Sequence, residues 1–278
     1  MDRRRRASVV MRPWDWAVPP TRVHREVLSA IPGGWHDLPR AQRQPPLLFI
    51  HGLAHGAWCF AEHWLPAAAA EGFPAYAVSL RGHGGSGGSR RLGRTLMRDY
   101  VHDVLQVIAT LPQPPVLVGH SMGALIAQLV ADRYQPRGLA LLTPAPLSGA
   151  GPILANLVRD RPVDALQVLA GGTLPLRAGD LFVGLDRATA DRYVDRLGRE
   201  GPLVQYQLLI PRRIGPVRAP VLVAGVRGDR VVPRWAVLET ARAYGVEPIW
   251  FDRIGHDLML DAGWERPLNA LLDWVRGS

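Results

Sequence analysis

The chain has 278 residues, 47% hydrophobic and 21% charged, a globular balance long enough for one large domain or one domain carrying an insertion. Its 33 basic residues are all arginine and its formal net charge is +9, but the arginines gather in MDRRRR at the start or sit beside Asp and Glu in helical patterns, which points to a solvated surface and to no nucleic-acid partner. The single cysteine, Cys59, excludes an internal disulfide and a cysteine-based metal centre, and no apolar run reaches the roughly 18 residues of a membrane span, so a cytoplasmic protein is expected.

Residues 1–20 read as a basic, disordered arm, and ASVVMRPWDW is too short and too soon interrupted for a signal-peptide core. Strand-like runs follow at PPLLFIH (45–51), PAYAVSL (74–80), PPVLVGH (114–120), RGLALLTP (137–144), APVLVAGV (219–226) and EPIWFDR (247–253). They are mostly apolar throughout, as parallel strands covered on both faces are. Helical spacing fills most of the gaps; in TLMRDYVHDVLQVIATL, Leu96, Tyr100, Val104, Val107 and Leu111 share one stripe. From Pro146 to Val217 the pattern is helical without a convincing strand, between loop-rich PAPLSGAGP and PRRIGPVRAP. The expected fold class is α/β, a doubly wound, mostly parallel sheet over 21–145 and 218–278, with a helical cap inserted over 146–217.

Gly-x-Ser-x-Gly occurs twice, around Ser86 in GHGGSGGSRR and around Ser121 in PPVLVGHSMGALIAQ. In so glycine-rich a chain the pattern is weak, and context separates the two. Ser86 lies in a Gly/Ser/Arg stretch with no helix ahead, which reads as a flexible loop. Ser121 stands one residue past a strand run and opens SMGALIAQLVADRY. Gly119 and Gly123 leave room for a sharp strand-to-helix turn that exposes the serine, and the helix start offers free N–H groups to a developing negative charge. The blander reading is an ordinary N-cap serine.

A hydroxyl nucleophile needs a base, and the base needs an orienting carboxylate. RGDRVVP, after the 219–226 run, supplies Asp229, and IGHDLMLD, after the last run, supplies His256. Both fall at the sheet edge where parallel strands present their ligand site. Asp229 could instead hold a turn, leaving Asp252 as acid, but Asp252 would have to reach a histidine four residues on in the same turn. Asp257 adjoins His256 and is expected to point away and cap a turn. The oxyanion donors would be the N–H of Met122 and the N–H of Leu53, where Gly52 lets the loop turn inward and His51 braces it. Other histidines, such as His63 and His102, read as surface or packing residues, and Cys59 as a buried thiol.

Across 45–276, His51-Gly52, RGHGGS (81–86), GHSMG (119–123), GDRVVP and GHDLMLD occur in an order that resembles the α/β-hydrolase superfamily. HGLAHGAWCF is similar to the plant methylesterase and hydroxynitrile-lyase branch, whereas RGHG is closer to bacterial esterases and lysophospholipase-like members. The elbow reads Gly123-Ala124 where many relatives have Gly-Gly, and the absence of an elbow aspartate argues against the epoxide-hydrolase and haloalkane-dehalogenase branches. The resemblance implies a serine esterase working through an acyl-enzyme on a small apolar ester, with Ser121 as nucleophile, His256 as base, Asp229 as acid, and no cofactor or metal. The rivals are a thioesterase, lactonase, C–C hydrolase or lyase-type enzyme on the same triad, or a non-catalytic small-molecule receptor.

Overall fold

The apolar runs form a seven-stranded sheet in the order β1-β3-β2-β4-β5-β6-β7, seen in a computed structural model that describes residues 23–278; the arm expected over 1–20 lies outside the described residues. The strands are β1 (Val27–Ala30), β2 (Leu47–Ile50), β3 (Ala75–Val78), β4 (Val116–His120), β5 (Gly138–Leu142), β6 (Val221–Val226) and β7 (Ile249–Phe251). All pairings are parallel except that of β1 with β3. No apolar run announces β1. It is an edge strand whose side chains alternate between exposed and half-buried, so it lacks the composition of the buried strands.

β2 and β4 are buried along their whole length, because helices cover both faces of the sheet. Leu47 and Phe49 face one core, with the Trp64–Ala70 and Glu265–Gly277 helices. Leu48 and Ile50 face the other, with the Met97–Ile108, Met122–Ala131 and Arg234–Tyr244 helices. That alternation is the two-residue period of an extended strand. Cys59 is buried in the first core, where burial and then the charge of Asp257 hold its thiol well above the ordinary range, so it stays protonated.

From β2 the chain goes outward to β3 on one side, then crosses to β4 on the other, so the carboxyl ends of β2 and β4 flank the point where strand order reverses. Between β5 and β6 lie five helices and no strand: Gly151–Asp160, Pro162–Leu169, Ala178–Leu181, Arg187–Val194 and Pro202–Leu208. Three of them carry a proline in the first turn, where its missing N–H costs nothing. Arg161 joins this set together by pairing with Asp164 on its own helix and with Asp180, 2.9 Å away, on the next. No helix among the described residues is long and apolar enough to cross a membrane.

The Met122–Ala131 helix packs against β2 through bare backbone. A Cβ on Gly123 would lie 2.1 Å from the Ile50 carbonyl oxygen, and one on Gly119 would lie 2.4 Å from the Gly123 oxygen. Backbone cannot yield as a flexible side chain does. Gly123→Ala should therefore destabilise the protein by about 3 kcal/mol or more, or prevent folding. Gly151→Ala, where a Cβ meets nothing within 4 Å, should change stability by less than about 0.5 kcal/mol. Urea unfolding of the two variants checks the contrast.

Candidate active site

Ser121 follows the last residue of β4 and precedes the first of the helix, in the left-handed region at φ 55°. Such a conformation costs a non-glycine residue about 1–3 kcal/mol and persists only where its surroundings impose it. Here they do. The Ser121 N–H donates to the Leu142 carbonyl at 2.9 Å, and the Ser121 carbonyl accepts from Ala124 at 3.0 Å and Ala145 at 3.2 Å. Its side chain accepts no capping bond from the helix, so the N-cap reading fails.

The loop after β2 lies directly against the serine. A Cβ on Gly52 would come within 3.1 Å of both the Ser121 Cβ and the His120 Nδ1, so only glycine permits this approach. His51 holds the loop, with Nδ1 donating to the Gly52 carbonyl at 2.8 Å and Nε2 accepting the Leu80 N–H at 3.0 Å. Both roles require a neutral ring, and burial, reinforced by His83, keeps this imidazole well below its ordinary range. Among the described residues neither the Leu53 N–H nor the Met122 N–H donates to another group. Two free donors thus stand on the two segments that enclose Ser121.

The loop after β6 delivers Asp229 and the loop after β7 delivers His256. Asp229 does both things its sequence allowed: Oδ1 accepts from Val231 N at 2.8 Å and Val232 N at 2.9 Å, holding a turn, while Oδ2 lies 2.8 Å from His256 Nδ1. The pair is almost fully buried. Burial alone would lower the His256 pKa, but the charge and hydrogen bond of Asp229, then the charge of Asp257, outweigh it and hold the imidazole above its ordinary value. Asp252 is exposed and faces Arg227 at 3.4 Å, so it is not placed to orient the histidine.

Several buried groups around these residues escaped the sequence. His120, the residue before Ser121, has Nε2 2.9 Å from the His256 carbonyl and its ring 4.7 Å from the His256 ring, which ties the serine's strand to the histidine's loop. Burial and then the neighbouring His256 push its pKa down to about 3, so the ring is neutral and Nε2 donates. Asp257 does not cap a turn with its side chain. Its Oδ2 lies 2.8 Å from His55 Nε2, and His55 Nδ1 lies 2.8 Å from the Leu53 carbonyl, so this carboxylate braces the loop after β2. Ser86 is no flexible-loop residue either: its hydroxyl donates to the Ser79 carbonyl at 2.6 Å and accepts from Glu26 N at 2.9 Å. His63 stacks on Trp264 at 4.9 Å. Apart from the Ser86–Ser79 and His55–Leu53 contacts, these partners are tens to hundreds of residues apart, and nothing local in the chain marks them.

Among the described residues, His120, His256 and Asp257 offer donor atoms within 4.8 Å of one another. All three already hold hydrogen bonds, to a carbonyl, to Asp229 and to His55. His120 Nδ1 and Asp257 Oδ1 have no hydrogen-bond partner among the described residues. A cavity of about 300 Å³ opens from Leu53 and Asp229 beneath the helices between β5 and β6, lined by Ile153, Leu154, Leu157, Leu174, Leu176 and Leu208.

A family model described as the alpha/beta hydrolase family matches residues 47–272. The carbendazim hydrolyzing esterase of Nocardioides sp. is 27% identical over 233 residues, which span 77% of this chain and 93% of that protein. Norfluorocurarine synthase 1 of Strychnos nux-vomica is 30% identical over 97 residues, covering 34% of this chain, so the match spans about a third (35%) of that relative's length. The structure of the Paleococcus ferrophilus monoacylglycerol lipase superposes with a TM-score of 0.65 at 19% identity, covering 92% of this chain and 98% of that one; the likeness is one of fold.

The histidine-carboxylate pair makes a direct prediction. The His256 ring should titrate above about 6.5, the ordinary value for histidine. Asp229→Asn removes the charge that opposes burial, so the same ring should then titrate lower. The ring-proton resonance followed by NMR across pH reads both, and a midpoint that Asp229→Asn leaves unmoved would show that Asp229 does not control the histidine.

Proposed function

Because the chain belongs to the alpha/beta hydrolase family, we propose that it is a serine hydrolase of carboxylic esters with an apolar acyl or alcohol group. The carrying observation is the strained Ser121 at the strand-order reversal, on the same sheet edge as a buried His256–Asp229 pair at 2.8 Å. Relatives whose names describe esterase and lipase activities agree with that chemistry.

In this reading the Ser121 hydroxyl attacks the ester carbonyl while His256 Nε2 takes its proton. Asp229 accepts a hydrogen bond from Nδ1–H, which leaves Nε2 as the basic nitrogen and stabilises the imidazolium once it forms. The carbonyl oxygen becomes an oxyanion and receives the Leu53 and Met122 N–H groups, preorganised donors that need not reorient during the reaction. Collapse of the intermediate returns the proton from His256 to the departing alcohol and leaves an acyl group on Ser121. Water, deprotonated by the same histidine, then releases the acid and restores the serine. No metal or cofactor enters.

The cavity supports the substrate class. Its lining is mostly apolar, with Gln205, Asp160 and Arg230 among its polar groups, and it rewards apolar surface at roughly 25 cal/mol per Å² buried. The helices over 146–217 supply most of that lining, consistent with a cap that selects the substrate. Thioesters and lactones would meet the same nucleophile, so the acyl and leaving groups accepted must be read from a panel of nitrophenyl esters, thioesters and lactones.

A fluorophosphonate should label the protein stoichiometrically, on the peptide containing Ser121, and not at all in Ser121→Ala. Labelling should fall as acid protonates His256. Asp229→Asn should lower kcat by about 10⁴-fold, the loss typical when the orienting carboxylate of such a triad is removed, and Asp252→Asn should leave it within twofold. Label on another serine, or none on folded protein, would overturn the reading.

A further inference from the structure

One buried carboxylate outside the proposed triad remains without a role. Glu200 sits on the loop before the Pro202–Leu208 helix, within the segment that separates β5 from β6, and is only 3% exposed. Its backbone N–H donates to Thr173 Oγ1 at 2.8 Å, which fixes it to its own segment. Its side chain reaches away from that segment into the sheet edge. Oε1 accepts from the Tyr100 hydroxyl at 2.6 Å and from Gly201 N at 2.8 Å, and Oε2 accepts from Ala54 N at 3.3 Å. His83 Nε2 of the RGHG stretch lies 3.2 Å from Oε2. Burial would raise the carboxyl pKa, but the charge and hydrogen bonds of His83, then Tyr100 and Gly201, overcome it and keep the group ionised.

The Ala54 contact gives the carboxylate its meaning. Ala54 follows Leu53 and holds a left-handed φ of 63°, one of four non-glycine residues to do so among those described. Its two backbone groups are both taken by the same short stretch of the overlying segment, the N–H by Glu200 and the carbonyl by Gly198 N at 2.7 Å. Clamping both backbone groups of a strained residue fixes the peptide that joins Leu53 to Ala54, and the Leu53 N–H, on the adjoining peptide, can then turn only through the torsions at Leu53 itself. The bond is long at 3.3 Å, and its strength comes from the charge of a buried acceptor.

We propose that Glu200 is a positioning residue for the Leu53 oxyanion donor, so that the segment covering the cavity also completes the oxyanion hole beneath it. The proposal rests on the assignment of Ser121, Leu53 and Met122 in the preceding subsection. It makes turnover, and not substrate affinity alone, depend on the seating of the helical segment.

Glu200→Gln tests it with little disturbance. The amide oxygen placed at Oε1 keeps the Tyr100 and Gly201 bonds. The amide nitrogen at Oε2 donates to His83 Nε2, whose ring can supply an acceptor there because its Nδ1 already faces the Arg81 carbonyl at 3.1 Å. The Ala54 N–H loses its acceptor, and His83 loses the charge that faces it. On a nitrophenyl ester that the wild type hydrolyses, Glu200→Gln should lower kcat by about 10- to 100-fold, less than outright removal of an oxyanion donor, with KM within twofold. The Ki of a trifluoromethyl ketone, which mimics the tetrahedral adduct, should rise by the same factor as kcat/KM falls. Amide exchange in the peptide spanning residues 52–56 should quicken. Val275→Ala, a core change in the C-terminal helix, should lower Tm without moving kcat, which separates positioning from stability.

A Glu200→Gln enzyme with kcat within twofold of wild type would overturn the proposal, and so would a loss confined to KM. A wild type inert to every ester and to fluorophosphonate would remove the underlying hydrolase reading, and this inference with it; that result is seen before any Glu200 variant is made.

Discussion

The approach of one backbone to another at Gly123 is the constraint on which the rest of the site depends. With no side chain at that position, the first turn of the Met122–Ala131 helix rests on the Ile50 and His51 carbonyls at the end of β2. The ends of the two central strands are thereby brought together, and with them the loop that carries Gly52 and Leu53. The same tight turn forces Ser121 into a left-handed conformation, whose cost is offset by three backbone hydrogen bonds to the neighbouring strand and helix. A larger residue at Gly119 or Gly123 would meet backbone and part these segments.

Around that backbone core stand three histidine-carboxylate contacts of one kind, each drawn from distant parts of the chain: His256 with Asp229, His55 with Asp257, and His83 with Glu200. Buried ion pairs add little net stability, since desolvation offsets much of their attraction, but losing one partner leaves a charge stranded. Their effect here is geometric. The first fixes the proposed base, and the second and third hold the loop after β2 at the Leu53 carbonyl and the Ala54 N–H. Two other histidines, His51 and His120, are kept neutral by burial and act as plain donors and acceptors between backbone segments.

The helices between β5 and β6 do more than roof the cavity. Asp261 accepts from Gly255 N at 2.6 Å, beside His256, and from Val183 N and Gly184 N at 2.8 and 2.9 Å on the covering segment. Glu200 and Gly198 grip the loop on the opposite side. The covering segment is thus bonded to both the histidine loop and the proposed oxyanion loop. Its outer surface is loosely packed by comparison, with Val163 and Leu166 exposed.

The sequence by itself determined the sheet and the positions along it of the residues proposed to react. Apolar runs of strand length, helical stripes between them and glycines on either side of Ser121 are local signals, and they suffice for the six buried strands and for locating Ser121, Asp229 and His256 at strand ends. β1 escaped because an edge strand is paired on one side only and needs no apolar run. Only the tertiary structure decided which carboxylates meet which histidines. Spacing favoured Asp229 over Asp252, and in the fold one loop turns its acid inward to His256 while the other leaves it beside Arg227 in solvent. The pairings of Asp257 with His55 and of Glu200 with His83 span 202 and 117 residues. Contacts at that separation follow from the burial of charge in the folded state, which selects partners by distance in space and leaves no periodic trace in the chain.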